Sequence, residues 1–299
     1  MLRIGLVDFE TSHVVQFTKR VNHVDIDEDQ FVEGGKIVCG YRGTSDITTP
    51  EQMDKYTEDV TGLGVPLVDK PEDMIGKVDA VCVEAQAGSV HLDHVRPFLE
   101  AGIAAFVDKP FADTVANAKA MAELAEKNNT ALFSASSLRF TPEVVDVKAR
   151  EDEIGKIVGA NAYSPASLHD GNPGLLHYGI HGVEMLYALM GTGCKWVQTV
   201  CTDGAEVSTG LWEGDRIGVM RGTRAGAHSY GFCAWGEKKV VQSPVSTTYL
   251  YRELLKQIIA TFETGTASVP MSETVETIAF INAALGSANN GGAKVELDV

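Results

Sequence analysis

The chain has 299 residues, long enough for one large or two ordinary domains. With 44% hydrophobic and 22% charged residues it has the composition of a globular protein, which argues against a disordered or low-complexity chain. A formal net charge of -16 argues against nucleic acid or an anionic membrane as partner, since both require a basic footprint. The cysteines, Cys39, Cys82, Cys194, Cys201 and Cys233, are odd in number and show no CxxC spacing. Free thiols in a reducing, cytoplasmic compartment are therefore expected. The opening MLRIGLVD has neither a long apolar segment nor a twin arginine, so no signal or membrane span is predicted.

In chain order, short apolar runs at residues 2–7, 36–41, 79–84, 104–107 and 131–134 predict buried strands. Between them, VHLDHVRPFLEAG and TVANAKAMAELAEKNN repeat apolar residues at helical spacing, and Gly102 and Asn128–Asn129 act as stops. Strands alternating with helices of this length imply βαβ units and a doubly wound parallel sheet. Beyond about residue 136 the pattern changes. A helix is predicted over 179–190, then strands over 196–201, 206–211, 216–221, 226–234 and 239–242, separated by turn residues. That spacing predicts an antiparallel meander. Helices over 251–264 and 274–287 and a short strand over 294–297 close the chain. The class is α/β, with a parallel-sheet domain over 1–136 and an α+β domain over 137–299 whose large sheet is mostly antiparallel. A C-terminal helix is free to pack back on the first domain.

If the first strand ends at Val7, the next loop should hold a phosphate-binding turn, normally GxGxxG, in which backbone approaches a pyrophosphate at a helix start. Here the loop reads DFETSHVVQF, and Asp8, Glu10 and His13 stand at the three glycine positions. Thr11 or Ser12 can still cap the helix, but two acids aimed at a pyrophosphate would repel it. The second strand ends in GYRG, with Arg42 where an acid would hold the adenosine ribose. An arginine there accommodates a 2′-phosphate and favours NADP over NAD; a solvated turn arginine reads the same way.

The segment FVDKPFA, residues 106–112, ends an apolar run in an acid, a lysine and a proline. Pro110 cannot donate to a ladder and biases Lys109 towards extended geometry. Lys109 therefore belongs at the carboxyl end of a strand, where open α/β sheets place their ligands. The chain resembles the Gfo/Idh/MocA family, which includes glucose-fructose oxidoreductase and inositol dehydrogenase. FVDKPFA resembles that family's Glu-Lys-Pro at the end of a Rossmann strand, with Asp108 replacing the glutamate. VHLDHVRPFLEAG resembles its helix-start histidine segment, with His91 in that place and EAQAGS lacking the usual Pro-Asn. SSLRFTPEV resembles the Arg-Phe-x-Pro link, IGKIVGANAY the first strand of the second domain, and LLHYGIHGVEMLYALMG its catalytic helix. ETVETIAFINAALGSANNGGAKVEL resembles the closing helix and strand. The likeness spans nearly the whole chain, with two departures. The glycine fingerprint is missing, and the family's Asp-x-x-x-His is His177-x-x-x-His181 here.

The resemblance implies an N-terminal Rossmann-like domain and NAD(P)-linked oxidation of a secondary alcohol on a sugar, cyclitol or related polyol. It implies His181 as general base, Lys109 as donor to the same oxygen, and His177 in place of the usual aspartate. Cofactor contacts are expected from Phe9, Glu10, Thr11, Ser12, His13, Arg42, His91, Asp108 and Lys109, with NADP or NAD as cofactor. Substrate contacts are expected from Arg139, His169, Asp170, Tyr178 and Glu184. No bound metal is expected. Homodimers or homotetramers formed through the C-terminal sheet are implied as well.

Two other readings use the same residues. Taken as helical, His177, His181 and Glu184 fall at i, i+4 and i+7 on one face, which with His169–Asp170 nearby could hold a divalent metal. The protein would then be a metal-assisted lyase, isomerase or hydrolase. Alternatively, Asp8 and Glu10 mark a non-catalytic sugar-binding protein with a degenerate cofactor loop. His13, His23, His94 and His228 show no partner pattern and are expected at the surface or in loops. Trp196, Trp212 and Trp235 are expected in the core or at an oligomer contact.

Overall fold

The computed structural model describes residues 1–299. The chain opens with β1 (Leu2–Val7), α1 (His13–Asn22), β2 (Gly35–Tyr41), α2 (Pro50–Gly62), β3 (Ala80–Val83), α3 (His91–Glu100), β4 (Ala104–Val107), α4 (Val115–Lys127) and β5 (Leu132–Phe133). It continues with α5 (Pro142–Ala149), α6 (Glu151–Ile154), β6 (Ile157–Pro165), α7 (Ile180–Met190), β7 (Cys194–Cys201), β8 (Ala205–Trp212) and β9 (Ile217–Thr223). The last elements are β10 (Gly231–Gly236), β11 (Val240–Pro244), α8 (Leu250–Thr264), α9 (Met271–Asn289) and β12 (Val295–Glu296). Two compact units emerge. Met1–Ala135 joins Tyr251–Met271 in one, and Ser136–Leu250 joins Ser272–Val299 in the other. No helix is long and apolar enough to cross a membrane.

In the first unit a five-stranded parallel sheet has the order β2-β1-β3-β4-β5. Apart from exposed Arg3 in β1 and Lys36 in β2, near the strand starts, its strands are free of charged residues because helices cover both faces, as the βαβ pattern requires. Val81, Cys82, Phe106 and Phe133 are all buried, and the Phe106 ring lies 6.2 Å from Phe17 of α1 and 5.7 Å from Phe133. Each such buried aromatic contributes roughly 1.5–3 kcal/mol over an exposed one. Thr114 caps α4 by accepting from the Asn117 amide at 3.2 Å, and Thr49 caps α2 ahead of Pro50. The order reverses beside β1, so the crevice for ligands lies at the carboxyl tips of β1 and β3.

The second unit is built on a seven-stranded sheet in the order β11-β10-β6-β9-β8-β7-β12. It departs from the predicted meander at one place. β6 inserts between β9 and β10, pairing parallel with β9 from Gly159 opposite Ile217 to Pro165 opposite Thr223. The remaining pairs are antiparallel. On the covered face Trp212 is fully buried against Tyr187 of α7 and Phe280 of α9, with ring centroids 5.6 and 5.8 Å away. The strand neighbour Gly218 makes that possible, since a Cβ there would lie 2.6 Å from the indole. Of the three tryptophans, Trp212 is the core residue.

Candidate active site

In the first unit, β1 ends at Val7 and Asp8 takes φ 65°, the left-handed turn that the first fingerprint glycine normally supplies. Aspartate tolerates this conformation better than most residues. The Asp8 carboxylate is bound by His94 Nδ1 at 2.6 Å, and its backbone amide donates to Tyr41 at 3.0 Å. Glu10, at the second glycine position, is also turned inward. Its carboxylate accepts from the Ser45 hydroxyl and from the Gln86 amide (3.2 Å), and its carbonyl accepts from Thr48 at 2.8 Å. Burial raises the Glu10 pKa, which weakens the repulsion expected of an acid in this loop.

His13, at the third glycine position, is the first residue of α1. Its ring stacks on Phe17 at 5.1 Å and meets Tyr251 edge-on at 5.2 Å. Nδ1 lies 3.2 Å from Glu84 Oε2 and 3.2 Å from Asp108 Oδ2. Glu84 follows β3 and Asp108 follows β4, so the tips of two adjacent strands and the start of α1 supply the cluster. Burial alone would lower the His13 pKa, but Asp108 and Glu84 outweigh it and raise it well above the ordinary value. Burial pushes the Glu84 carboxyl up to about 7 against the pull of His13. Burial acts the same way on Asp108, yet His13 and Lys109 overcome it and hold that carboxyl low. Lys109, next in the chain, places Nζ 3.9 Å from Asp108 Oδ2, with its side chain 13% exposed.

Several expectations for this unit are corrected. His13 and His94 are not surface residues: the first is buried between two acids and the second is half-buried on Asp8. His91 does not present its ring to a ligand. It is fully buried, with Nε2 2.9 Å from the Ala85 carbonyl and Nδ1 3.1 Å from that of Phe111, bracketing the loops after β3 and β4. Phe9 is buried with no exposed surface, and the Arg42 guanidinium is engaged by Asp54 at 3.0 and 2.7 Å. Thr11 is buried, and the Ser12 hydroxyl lies 3.2 Å from that of Tyr251.

In the second unit α7 begins at Ile180, so His177 lies in the turn before the helix that carries His181 and Glu184. The segment 174–176 is a separate 3-10 turn that starts after Pro173. Gly179 then starts the helix where a Cβ would lie 2.3 Å from Leu175. His181 Nδ1 lies 2.7 Å from the Ser136 hydroxyl. The rings of His169 and His177 are 5.4 Å apart, those of His177 and Tyr178 6.0 Å, and those of Tyr178 and His181 5.2 Å. Four of the expected residues thus form one continuous cluster, half-buried except for exposed Tyr178, while Asp170 lies exposed in the adjoining loop.

Arg139 and Glu184 are a correction. Both are buried, with Nη1 of Arg139 2.9 Å from Glu184 Oε2 and Nη2 bound by Glu273. They form an internal ion-pair network rather than substrate contacts, and Glu184 is not available as a metal ligand beside His181. Glu84 and Ser136 escaped the sequence reading, although an acid ending the run DAVCVE was the available signal for the first.

Residues 49–136 match the Gfo/Idh/MocA model, described as an oxidoreductase family with an NAD-binding Rossmann fold. That stretch contains His91, Asp108, Lys109 and the link at Ser136. This stretch is similar to the Gfo/Idh/MocA oxidoreductases. The match starts beyond the altered loop. Three solved structures are similar over nearly the whole chain. A probable dehydrogenase from Thermotoga maritima is 19% identical with TM-score 0.78, covering 99% of both chains. A putative myo-inositol dehydrogenase from Sinorhizobium meliloti is 16% identical with TM-score 0.79, covering 100% of both. A scyllo-inositol dehydrogenase from Lactobacillus casei, with bound NAD(H) and scyllo-inositol, is 15% identical with TM-score 0.80, covering 99% of both. At these identities they establish the fold.

A nicotinamide dinucleotide fits the residues of the first unit. Ser12 makes no side-chain cap and the first turn of α1 contains no acid, which suits an anion there, although the His13 amide already donates to Thr11 Oγ1 at 3.2 Å. Beside it a cavity of about 200 Å³ is lined by Val7, Asp8, Tyr41, Gly43, Thr44 and His94, at the position of the adenosine half.

Proposed function

We propose that this protein is an NAD(P)-dependent dehydrogenase of the Gfo/Idh/MocA kind, acting on a secondary alcohol of a sugar, cyclitol or related polyol. The observation that carries the reading is Lys109 at the tip of β4, beside the switch point of the parallel sheet and inside the segment that matches the oxidoreductase family. When bound, the nicotinamide supplies the hydride acceptor or donor. Its adenosine end would be held by the cavity beside Asp8 and Gly43 and its pyrophosphate by the start of α1, while Arg42 would have to leave Asp54 to meet a 2′-phosphate.

Lys109 stabilises negative charge that develops on the reacting oxygen. Asp108, fixed by the Lys109 amide at 2.7 Å, lies 3.9 Å from that ammonium and orients it. His181 takes the hydroxyl proton. With Nδ1–H donating to Ser136, the Nε2 lone pair is the basic site. His177, Tyr178 and His169 orient the hydroxyls of the polyol, and His177 replaces an aspartate, which makes this subsite less negative. All five thiols are free, in keeping with a cytoplasmic enzyme. Ile217, Val158 and Val200 lie exposed on the seven-stranded sheet, and we place the contact of a homodimer or homotetramer on that face.

Calorimetric titration with NAD(H) and NADP(H), followed by turnover on a polyol panel, tests the reading. Micromolar-range binding is expected, and Lys109→Ala should lower kcat by about 10²–10³ with dinucleotide binding retained. Absence of binding by all four dinucleotides would overturn it.

A further inference from the structure

The cluster of His13, Glu84 and Asp108 is not explained by hydrogen bonding alone. Nδ1 of His13 bears a single hydrogen, yet two carboxylate oxygens face it at the same 3.2 Å. Asp108 Oδ2 and Glu84 Oε1 are buried and have no hydrogen-bond partner. The nearest other cation, Lys109 Nζ, is 3.9 Å from Asp108 Oδ2, beyond hydrogen-bond reach. Glu84 and Asp108 both have 0% exposure, so water does not solvate the oxygens left over. A buried group in this condition costs free energy unless something accepts its lone pairs.

The spacing is that of a coordination shell. One ligand atom from each residue lies within 4.8 Å of the other two. With metal–ligand bonds of about 2.1 Å, a 3.2 Å edge subtends about 100° at the ion, between octahedral and tetrahedral values. The two acids come from the neighbouring tips of β3 and β4 and the histidine from the start of α1, at the end of the sheet where ligands bind. One imidazole nitrogen and two carboxylates form a donor set of borderline softness, suited to Zn²⁺, Mn²⁺, Fe²⁺ or Co²⁺ rather than to Ca²⁺.

We propose that His13, Glu84 and Asp108 bind one divalent transition-metal ion, which ties the start of α1 to the tips of β3 and β4. The site is separate from the histidines of the second unit, and it departs from the expectation of a metal-free protein. It does not depend on the dehydrogenase reading. A histidine at the third fingerprint position would then have exchanged close helix–strand packing for a ligand.

The test uses untagged full-length protein stripped with a chelator and titrated with Co²⁺, read by visible ligand-field absorption and by the thermal midpoint. One Co²⁺ per chain is expected, with a midpoint that rises and saturates, and Zn²⁺ or Mn²⁺ competing. Glu84→Gln keeps the side-chain volume and removes a charged ligand. It should weaken Co²⁺ binding by more than the ten- to hundredfold that an outer-shell change costs, while the metal-free midpoint is unchanged or higher. His13→Gln provides the same readout should Glu84→Gln fail to fold. Absence of any band or midpoint shift with Co²⁺, Zn²⁺ and Mn²⁺ would overturn the proposal, as would Co²⁺ binding that survives both variants.

Discussion

Replacing Arg139 by methionine tests whether this residue belongs to the interior or to the substrate. Its guanidinium side chain is only 4% exposed and is shared by Glu184 and Glu273. Methionine fills much of the volume but strands Glu184, whose carboxyl is fully enclosed. Removing one partner of a buried pair costs about 3–5 kcal/mol. An independent bound comes from protonation. A stranded glutamate can escape its charge by taking up a proton, which at pH 7 costs about 4 kcal/mol for a carboxyl of ordinary pKa. Glu273, nearer the surface, rehydrates and adds little. The two routes agree on about 3–4 kcal/mol.

The second route also fixes a pH dependence. In the variant, Glu184 has a folded pKa above its unfolded one, so the folded form binds the extra proton. The deficit therefore shrinks as pH falls, by up to about 1.4 kcal/mol per pH unit. Urea unfolding followed by tryptophan fluorescence reads this unit alone, since Trp196, Trp212 and Trp235 all lie within it. With a slope of about 2–3 kcal/mol per molar, the midpoint should fall by about 1–2 M. Adding Glu184→Gln to Arg139→Met should recover more than half of the loss, because a neutral amide needs no counter-ion. A deficit below about 1 kcal/mol, or one independent of pH, would refute the ion-pair account. A raised KM with unchanged stability would return Arg139 to substrate binding.

Three further outcomes are expected. Gly43→Ala places a Cβ 2.2 Å from Asp8 Oδ1 at a residue with φ 70°, so thermal melting should show a loss of about 2–3 kcal/mol and dinucleotide titration a weaker affinity. The hydrogen bond from His94 to Asp8 raises the His94 pKa, so its stabilisation is complete below the unfolded histidine value and fades as pH rises through the folded one. The midpoint advantage of the wild type over Asp8→Asn should therefore shrink as pH rises above the ordinary histidine value, and a constant difference would contradict the pairing. Ser136→Ala removes the partner of His181 Nδ1 and should lower kcat about tenfold with KM unchanged, the cost of one hydrogen bond to the base. An unchanged kcat in steady-state assays would remove Ser136 from the machinery.

The parallel sheet was legible because a strand covered on both faces must be apolar along its whole length. Runs such as residues 2–7 and 104–107 therefore announce both type and bounds. α2 left no such mark. Only Met53 and Val60 of its residues are buried, so its stripe is too thin to read. The place of β6 was hidden for a different reason. Pairing in parallel with β9 is a contact across more than fifty residues, and neither strand carries a local sign of its neighbour. Lys109 could be read from the chain because proline and the strand end lie beside it. Arg139 was misread because its partners are 45 and 134 residues away. An arginine in a loop before a proline resembles a ligand contact until those acids are seen.

The β1–α1 loop separates three demands that a glycine fingerprint usually meets together. The first position needs a left-handed backbone, and Asp8 supplies it at φ 65° with His94 holding its carboxylate. The fold therefore survives the loss of that glycine. The second position needs an absent side chain only where a phosphate must touch the backbone. Glu10 meets the steric part by folding its carboxylate onto Ser45 and Gln86, away from the helix end. The third position needs a small residue only where helix and sheet pack directly. His13 instead inserts a ring between them, and the buried acids Glu84 and Asp108 are matched to that ring rather than to glycine. None of the three substitutions can be exchanged alone. Returning His13 to glycine would leave two enclosed carboxylates with only Lys109, 3.9 Å from Asp108, as counter-charge, an arrangement that buried acids avoid. The missing motif is thus a coordinated replacement, with a conformational part that preserves the scaffold and an ionic part that gives the crevice its own chemistry.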